Sequence, residues 1–368
     1  MKDILVLGLG QIGGVIAALL SSAGYRVRAA DGDSSRLARV AAMADVQTLT
    51  VNADDAAALH QAMSGCFAVV SAMPHDMTLR VANAACETGV HYLDLTEDVA
   101  VTQQVKRLAG VGRAAFIPQC GLAPGFVSIA AADLVDHFET VDTLRLRVGA
   151  LPQFPSNALA YNLTWSTDGL INEYDQPCEA IVAGRLSQVP ALESLETFSL
   201  DGVAYEAFNT SGGLGTLAET LAGRVRELNY KTVRYPGHRD IVKTLIQDLR
   251  LGDRRDLLKQ IFEYALPSTG QDLVLIFVTA TGMREGRLVQ ETYANKIYSG
   301  MVAGHHRTAI QATTAGSICA VLDLLAAGAL PQSGLVRQED IPLDRFLSNR
   351  FGKAYAGGID FAPLERAA

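Results

Sequence analysis

The sequence predicts an α/β fold with a doubly wound parallel sheet and a second, inserted α+β domain. Strand-like apolar runs alternate with helical runs over the first 125 residues, and a glycine-rich turn directly follows the first run. The alternation ends at Pro124-Gly125, and a length of 368 residues is typical of two domains. We therefore predict a first domain over residues 1–125, an inserted domain over 126–308 and a C-terminal helical segment over 309–368.

Composition and charge exclude several classes of protein. Hydrophobic residues make up 49% of the chain, which is enough for a large core and excludes a disordered chain. The formal charge of −8 disfavours a nucleic-acid partner, because phosphate backbones attract basic surfaces. The apolar stretch over 309–330 contains Gln311, Ser317 and Asp323, so we expect a buried helix and no membrane span.

Cysteine and histidine usage indicates an intracellular protein without a structural metal. The 5 cysteines are odd in number and form no CxxC pair, so neither a disulfide framework nor a zinc site is expected. Such thiols suit the reducing cytoplasm, and the first residues form a strand-like run rather than a signal peptide. His305-His306 has no accompanying pattern of acids or cysteines, and we predict no metal there.

The beginning of the chain has the pattern strand, glycine turn, helix. Residues 4–7 form an aliphatic run typical of a strand buried on both faces. Gly8-Leu9-Gly10-Gln11-Ile12-Gly13 follows, and residues 15–23 have a helical pattern. In this arrangement Gly8 permits the tight turn, Gly10 lets the backbone approach a pyrophosphate, and Gly13 lets helix and strand pack closely. Because helix amides hold phosphates, the sequence predicts a Rossmann-type dinucleotide-binding domain.

The second strand indicates which dinucleotide is bound. Residues 25–30 are strand-like and are followed by Asp31, whose carboxylate would accept hydrogen bonds from the ribose hydroxyls and repel a 2′-phosphate. This favours NAD over NADP, although Asp33 could share the role. We expect Arg28 and Arg36 to lie too far from the strand end to affect the choice. The residues expected to contact NAD are Gly8, Gly10, Gln11, Ile12, Gly13, Asp31, Ala72 and Met73.

Polar residues follow the predicted strands at 67–72, 91–95 and 115–118. Because the carboxyl ends of parallel strands meet at one edge of a sheet, these residues should converge near the nicotinamide. The candidate catalytic residues are His75, Glu97, Asp98 and Cys120. Each has an alternative role: either carboxylate could cap the next helix, the histidine could bond the backbone, and the cysteine could belong to the core.

The second domain has a mixed pattern, with strands predicted at 143–151 and 273–281 and helices at 224–229 and 240–251. Arg234 could hold a substrate carboxylate through two parallel hydrogen bonds, or it could form a salt bridge. Trp165, the only tryptophan, could line a substrate pocket or belong to the core. Asn209 and Thr210 begin a glycine-rich segment that could wrap a ligand or form an ordinary loop.

Six sequence blocks together resemble the saccharopine dehydrogenase-like family. They are GLGQIGG at 8–14, HYLDLTED at 91–98, QCGLAPG at 119–125, NTSGGLGTL at 209–217, TVRYPGH at 232–238 and FLSNRFGKAY at 346–355. The resemblance implies that a C-terminal helix returns to the nucleotide domain and that the middle domain supports a homodimer. Saccharopine reductases of this family typically carry an acid where this chain has Ala123. This departure, together with Asp31, favours a free amino acid as substrate.

The activity that the resemblance implies is NAD-dependent oxidative deamination of L-lysine at its side-chain amine. An amine must lose a proton before its carbon releases hydride, so a general base is needed. Two alternatives stay open at this point: a saccharopine-type reductase that acts on a secondary amine, and a non-catalytic sensor that binds the dinucleotide without turning it over.

Overall fold

The computed structural model describes residues 1–357, apart from the side chain of His75. The strands are β1 (Asp3–Leu7), β2 (Arg26–Asp31), β3 (Gln47–Thr50), β4 (Ala68–Ser71), β5 (His91–Asp94), β6 (Ala115–Ile117), β7 (Thr140–Pro152), β8 (Cys178–Val182), β9 (Arg185–Val189), β10 (Glu196–Leu200), β11 (Val203–Asn209), β12 (Val225–Arg234), β13 (Asp272–Arg284), β14 (Arg287–Tyr298), β15 (Gly300–Val302), β16 (His305–Arg307) and β17 (Gly334–Leu335). The α-helices are α1 (Gly13–Ser22), α2 (Ser34–Ala41), α3 (Ala56–Met63), α4 (His75–Thr88), α5 (Val99–Val111), α6 (Phe126–Asp136), α7 (Thr167–Asp175), α8 (Leu217–Leu221), α9 (His238–Lys243), α10 (Arg255–Ala265), α11 (Ala309–Ala326) and α12 (Leu343–Ser348).

One compact unit comprises Met1–Ile129, Met301–His305 and Gln311–Ala356. Its seven-stranded sheet has the order β17-β6-β5-β4-β1-β2-β3, and the paired strands are parallel. β1 is buried because its aliphatic side chains are covered on both faces of the sheet. The strand order reverses between β1 and β4, the position at which such sheets bind ligands. The predicted α/β fold with a doubly wound parallel sheet is confirmed.

The C-terminal part of this unit packs against its sheet and against the start of α6. β17 pairs with β6, and Tyr25 at the start of β2 donates a hydrogen bond to Asp323 of α11 at 2.6 Å. Phe126 stacks on Tyr355 with 3.9 Å between ring centroids. The predicted C-terminal segment also includes residues 358–368, which lie outside the described residues.

Helix α11 is long and apolar enough to cross a membrane by length and composition alone, but 72% of it is buried inside the protein. Its buried face includes Ala315, Ile318 and Leu322, which are fully covered. The expectation of a buried helix is met by this packing.

The second compact unit comprises Ala130–Gly300 and His306–Ile310 among the described residues. Its sheet has the order β10-β11-β12-β7-β13-β14, with β8 pairing β12 and β9. β12 and β7 are parallel, whereas β7 and β13 are antiparallel, so the sheet is mixed. Helices α7, α9 and α10 contribute Tyr174, Val242 and Phe262 to one apolar cluster. This mixed sheet with helices is the α+β organisation that the sequence predicted.

One predicted helix is wrong. Residues 224–229 lie mostly in strand β12, which pairs with β7, β8 and β11. Val225 and Leu228 are three positions apart, which mimics a helical period over a short window. Pairing on both edges of the strand overrides this local signal. The predicted helix at 240–251 is present in part, as α9 followed by a π-helical turn over Thr244–Asp248.

Candidate active site

The glycine turn after β1 forms a cradle suited to a dinucleotide phosphate. Gly8 has φ of +87°, and a Cβ there would lie 2.7 Å from the carbonyl oxygen of Ala72. A Cβ at Gly13 would lie 1.8 Å from the Gly8 carbonyl oxygen, whereas the Cβ position at Gly10 has open space within 4 Å. Helix α1 begins here with no capping side chain and no acid in its first turn, as far as the described residues show. The turn therefore presents helix amides and free space together, which suits an anionic ligand.

The carboxylate of Asp31 helps to hold this turn. It accepts hydrogen bonds from the backbone N–H of Leu9 at 2.7 Å and of Asp33 at 2.9 Å. The side chain of Asp33 accepts from Ser35 at the start of α2. Asp31 is therefore the carboxylate at the end of β2, and Asp33 acts as a helix cap.

Arginines lie closer to this site than the sequence indicated. Arg28 points away and pairs with Asp3, as expected. The expectation for Arg36 is wrong: its guanidinium lies 3.5 Å from Asp31 and 3.6 Å from Asp33. The first turn of α2 brings this side chain back towards the strand end. Arg39 also donates a hydrogen bond to the carbonyl of Leu9 at 2.7 Å, so positive charge lies beside the turn.

The loop after β5 contains two adjacent carboxylates with different surroundings. Burial, together with the neighbouring charge of Asp98, raises the pKa of Glu97 to about 7. Asp98 is the N-cap of α5 and accepts a hydrogen bond from the N–H of Val101 at 2.8 Å. Glu97 is therefore suited to exchange protons near neutral pH, whereas Asp98 has the capping role that the sequence left open.

The loop after β6 is joined to the loop after β5 through Asp94. The Asp94 side chain accepts from the N–H of Gln119 at 2.8 Å, and its backbone carbonyl accepts from the N–H of Cys120 at 2.8 Å. Cys120 is fully buried, and burial raises the pKa of its thiol well above the ordinary value. Gln338 donates a hydrogen bond to the Cys120 sulfur at 3.2 Å. These contacts favour a core role for Cys120. The fourth candidate, His75, lies at the start of α4, and its side chain is outside the described part of the structure.

Arg234 lies in a buried polar cluster of the second unit. Its Nε donates to the hydroxyl of Tyr174 at 3.0 Å, and that hydroxyl lies 3.0 Å from Nε2 of His238. His238 Nδ1 lies 2.8 Å from the carbonyl of Leu159, so we assign the proton to Nδ1 and the acceptor role to Nε2. Burial and the Arg234 charge lower the pKa of His238 to about 3, which keeps the ring neutral. Arg234 also faces Glu173 at 3.8 Å and is only 2% exposed.

The other predicted substrate residues have contacts within the same unit. Trp165 donates a hydrogen bond to the hydroxyl of Tyr161 at 3.2 Å and packs against the apolar cluster. Tyr161 in turn lies under the Arg234 guanidinium, 5.0 Å from ring centroid to carbon. Asn209 donates to the carbonyl of Pro190, and Thr210 donates to Thr232. Trp165 and Arg234 therefore both contact Tyr161, and hydrogen bonds within the unit hold Asn209 and Thr210.

A cavity of about 690 Å³ in the second unit adjoins this cluster, with Tyr174 in its wall. None of the predicted substrate-binding residues lines it. Within residues 1–357, no group of three or more His, Cys, Asp or Glu side chains could hold a metal ion.

Sequence reasoning did not single out Asp94, Arg36 or Gln338 as site residues. Asp94 carries a usable signal, because a carboxylate at the end of a buried apolar strand must be bonded by the protein. Arg36 required the direction of α2, and Gln338 comes from a distant part of the chain, so neither position has a local signal.

Two family models match this chain. The model described as saccharopine dehydrogenase NADP binding domain matches residues 4–115. The model described as saccharopine dehydrogenase C-terminal domain matches residues 121–353. Together they cover both compact units.

Solved structures give a similar result for the fold. An apo, histidine-tagged saccharopine dehydrogenase (L-Glu forming) from Saccharomyces cerevisiae aligns over 96% of both chains, with a TM-score of 0.78 and 15% identity. A probable dehydrogenase from Thermotoga maritima aligns over 96% of this chain and 95% of its own, with a TM-score of 0.48 and 10% identity. At 15% identity the first match shows a shared fold.

Proposed function

Because the chain belongs to the saccharopine dehydrogenase family of dinucleotide-binding oxidoreductases, we propose that it is an NAD-dependent amino-acid dehydrogenase acting on L-lysine. The proposed reaction is a lysine 6-dehydrogenase activity, the oxidative deamination of the side-chain amine. The observation that carries the proposal is Glu97, a carboxylate with a pKa of about 7 in a loop at the carboxyl edge of the dinucleotide-binding sheet.

The reaction requires one proton transfer that the protein must provide. The substrate ammonium loses a proton, and the carbon beside the nitrogen then releases a hydride, which leaves an imine. A bound nicotinamide supplies the hydride acceptor. Water adds to the imine, and ammonia leaves to give the semialdehyde, which can cyclise. In this proposal Glu97 accepts the ammonium proton, because its raised pKa makes the carboxylate a better base than an exposed glutamate.

The residues around the glycine turn fit a dinucleotide. Gly10 leaves open space beside the turn, and Gly8 and Gly13 allow close backbone contacts within it. The first turn of α1 has backbone amides that can bind a phosphate. Asp31 would accept hydrogen bonds from the ribose hydroxyls, which supports NAD as the preferred cofactor. Arg36 beside Asp31 also provides a positive charge that a 2′-phosphate could use, so we expect NADP to be accepted weakly.

The choice of a free amino acid is supported by Ala123, at which related saccharopine reductases typically carry an acid. A second candidate is oxidation of the secondary amine of saccharopine, which is favoured by the family models that match both units. The two candidates differ in substrate and share the base and the cofactor.

The test is NADH formation by the purified protein with NAD and, separately, lysine, ornithine or saccharopine. We expect turnover with lysine. Turnover only with saccharopine would favour the second candidate. Dinucleotide binding without NADH formation from any of the three would contradict a dehydrogenase and indicate a sensor.

Two variants locate the base. Glu97→Gln should lower kcat by about 100-fold or more, the loss expected on removing a general base, while NADH binding, measured by fluorescence, persists. Asp98→Asn is the matched control and should keep turnover, because asparagine also caps helices well. If both variants keep parental turnover, Glu97 is not the base and His75 becomes the next candidate.

We further propose that the protein is a homodimer in the cytoplasm and that its partners are small molecules. Light scattering after gel filtration should give twice the mass of one chain. A mass of one chain at micromolar concentration would contradict the dimer.

A further inference from the structure

We propose that Asp94 is a positioning residue that holds the Glu97 loop in its reactive place. This inference rests on the proposed function, because it takes Glu97 as the base. Nothing in the family comparison assigns a role to Asp94, and its side chain, only 1% exposed, is covered by protein.

The Asp94 carboxylate accepts three hydrogen bonds. Its Oδ1 atom accepts from the N–H of Thr96 at 3.0 Å and from the N–H of Gln119 at 2.8 Å. Its Oδ2 atom accepts from the hydroxyl of Tyr92 at 2.8 Å. Burying a carboxylate is costly unless several donors satisfy it, so three donors make this an ordered, built arrangement. The Oδ1 atom ties the loop after β5 to the loop after β6.

Hydrogen bonds hold the residues on either side of Glu97. Thr96 is held by Asp94 through its N–H, and the Thr96 hydroxyl accepts from the N–H of Asp98 at 3.2 Å. Asp98 is held in turn by α5, since its side chain accepts from Val101. The backbone is therefore anchored immediately before and immediately after Glu97. Removal of Asp94 removes the first of these anchors.

Asp94 also holds the neighbouring loop, which follows β6. Gln119 has φ of +64°, a left-handed conformation that non-glycine residues rarely adopt. Its N–H donates to Asp94 Oδ1, and the next N–H, of Cys120, donates to the Asp94 carbonyl. The Gln119 side chain reaches α5 and donates to Thr102 at 3.1 Å. The strained residue is thus kept in place by bonds to Asp94 and α5.

These contacts distinguish positioning from catalysis. An asparagine at position 94 can accept both backbone bonds at its carbonyl oxygen and can donate from its amide nitrogen to the Tyr92 hydroxyl. The asparagine variant keeps the hydrogen bonds that hold the loop and loses the negative charge. An alanine loses both. A positioning role therefore predicts that Asp94→Asn retains activity and that Asp94→Ala does not.

The experiment compares Asp94→Ala, Asp94→Asn and the control Tyr92→Phe, each first checked for folding by circular dichroism. We expect Asp94→Ala to lower kcat by about 10- to 100-fold, the scale of loss for a misplaced catalytic group, with NADH affinity changed little. Asp94→Asn and Tyr92→Phe should stay within about threefold of the parent, because the two Oδ1 bonds persist.

The pH profile supplies a readout that a loss of stability would not give. In the parent, kcat/KM should fall below pH about 7 as Glu97 is protonated. In Asp94→Ala, water gains access to Glu97 and its pKa falls towards the ordinary value, so the acid limb should move to lower pH. In Asp94→Asn the acid limb of the kcat/KM profile should lie at the same pH as in the parent.

Three results would overturn the inference. They are an Asp94→Asn variant that loses as much kcat as Asp94→Ala, an Asp94→Ala variant with parental kcat, and an acid limb that does not move in Asp94→Ala. If Asp94→Ala fails to fold, the Asp94→Asn result decides. A Glu97→Gln variant that keeps turnover contradicts the proposed function instead, whatever Asp94→Ala does.

Discussion

At the scale of single residues, Glu97 and Asp98 show how adjacent carboxylates acquire different chemistry. Burial raises the pKa of Glu97 to about 7, whereas Asp98 is engaged by the first turn of α5. Both side chains are partly exposed, and of the two only Asp98 accepts a backbone hydrogen bond among the contacts of the described residues. That difference is why we propose Glu97, and not Asp98, as the proton acceptor.

Two residues near the end of β2, Asp31 and Arg36, bear on the choice between NAD and NADP. We expect kcat/KM to be higher with NAD than with NADP, because the Asp31 carboxylate would repel a 2′-phosphate. Asp31→Ser should narrow this gap. Arg36→Ala should lower kcat/KM with NADP by about 10-fold, the value of one charged hydrogen bond, and leave NAD use unchanged.

The control for Arg36→Ala is Arg26→Ala. Arg26 lies at the start of β2, the strand that ends at Asp31; it is 63% exposed and pairs with Asp3. It should change neither cofactor's kinetics. Equal kcat/KM values for NAD and NADP in the parent, or a preference for NADP, would contradict the assignment to Asp31.

Arg234 gives a prediction about stability. Its guanidinium is buried and faces Tyr174, the Val233 carbonyl and Glu173. Arg234→Ala would leave Glu173 without its cationic partner, and breaking a buried pair of this kind costs about 3–5 kcal/mol. We expect a melting temperature lower by about 6 °C or more. An unchanged melting temperature with a raised KM for the amino acid would indicate a substrate carboxylate site instead.

At the scale of elements, two glycines in the turn between β1 and α1 have different roles: Gly13 allows close packing, and Gly10 leaves space for a ligand. Gly13→Ala would place a Cβ against the Gly8 carbonyl, so we expect it to lower both the melting temperature and dinucleotide affinity. Gly10→Ala has open space for its Cβ. It should leave the melting temperature within about 2 °C of the parent and still weaken dinucleotide binding, because the methyl group would occupy the space of the pyrophosphate.

Calorimetry and NADH fluorescence titration measure the two effects separately for this matched pair. Unchanged NADH affinity in Gly10→Ala would show that the pyrophosphate does not approach Gly10.

At the scale of the whole molecule, the raised pKa of Glu97 affects stability. The pKa of Glu97 is raised from 4.5 to about 7 on folding. A group with a raised pKa stabilises the fold below its unfolded pKa, and this contribution is lost as pH rises through the folded value. The glutamine of Glu97→Gln cannot ionise, so the melting temperature of this variant should exceed that of the parent by about 2 °C or more at pH 8. The difference should shrink towards pH 5.

Scanning calorimetry across this pH range tests the expectation. A parental melting temperature for Glu97→Gln at pH 8 would show that folding does not raise the pKa of Glu97, and it would contradict the choice of this residue as the base.

The sequence by itself determined the strand-turn-helix at the start of the chain. The aliphatic run at 4–7 is followed at once by the glycine turn, and Gly13 acts on nearby Gly8 by steric exclusion, since a Cβ at Gly13 would lie 1.8 Å from the Gly8 carbonyl oxygen. The resemblance of six sequence blocks likewise identified the family that both domain models match. Features of this kind can be predicted from the sequence because the contacts that cause them join residues close together in the chain.

Only the tertiary structure decided the roles of the residues whose surroundings come from distant parts of the chain. Strand β12 exists because β7 and β11 pair with its edges, against a local helical signal. Arg36 reaches Asp31 because α2 turns back on β2. The pKa of Glu97 and the donors to Asp94 depend on which loops pack around them. Burial and strand pairing are properties of contacts between distant segments, so no local pattern in the sequence could determine them.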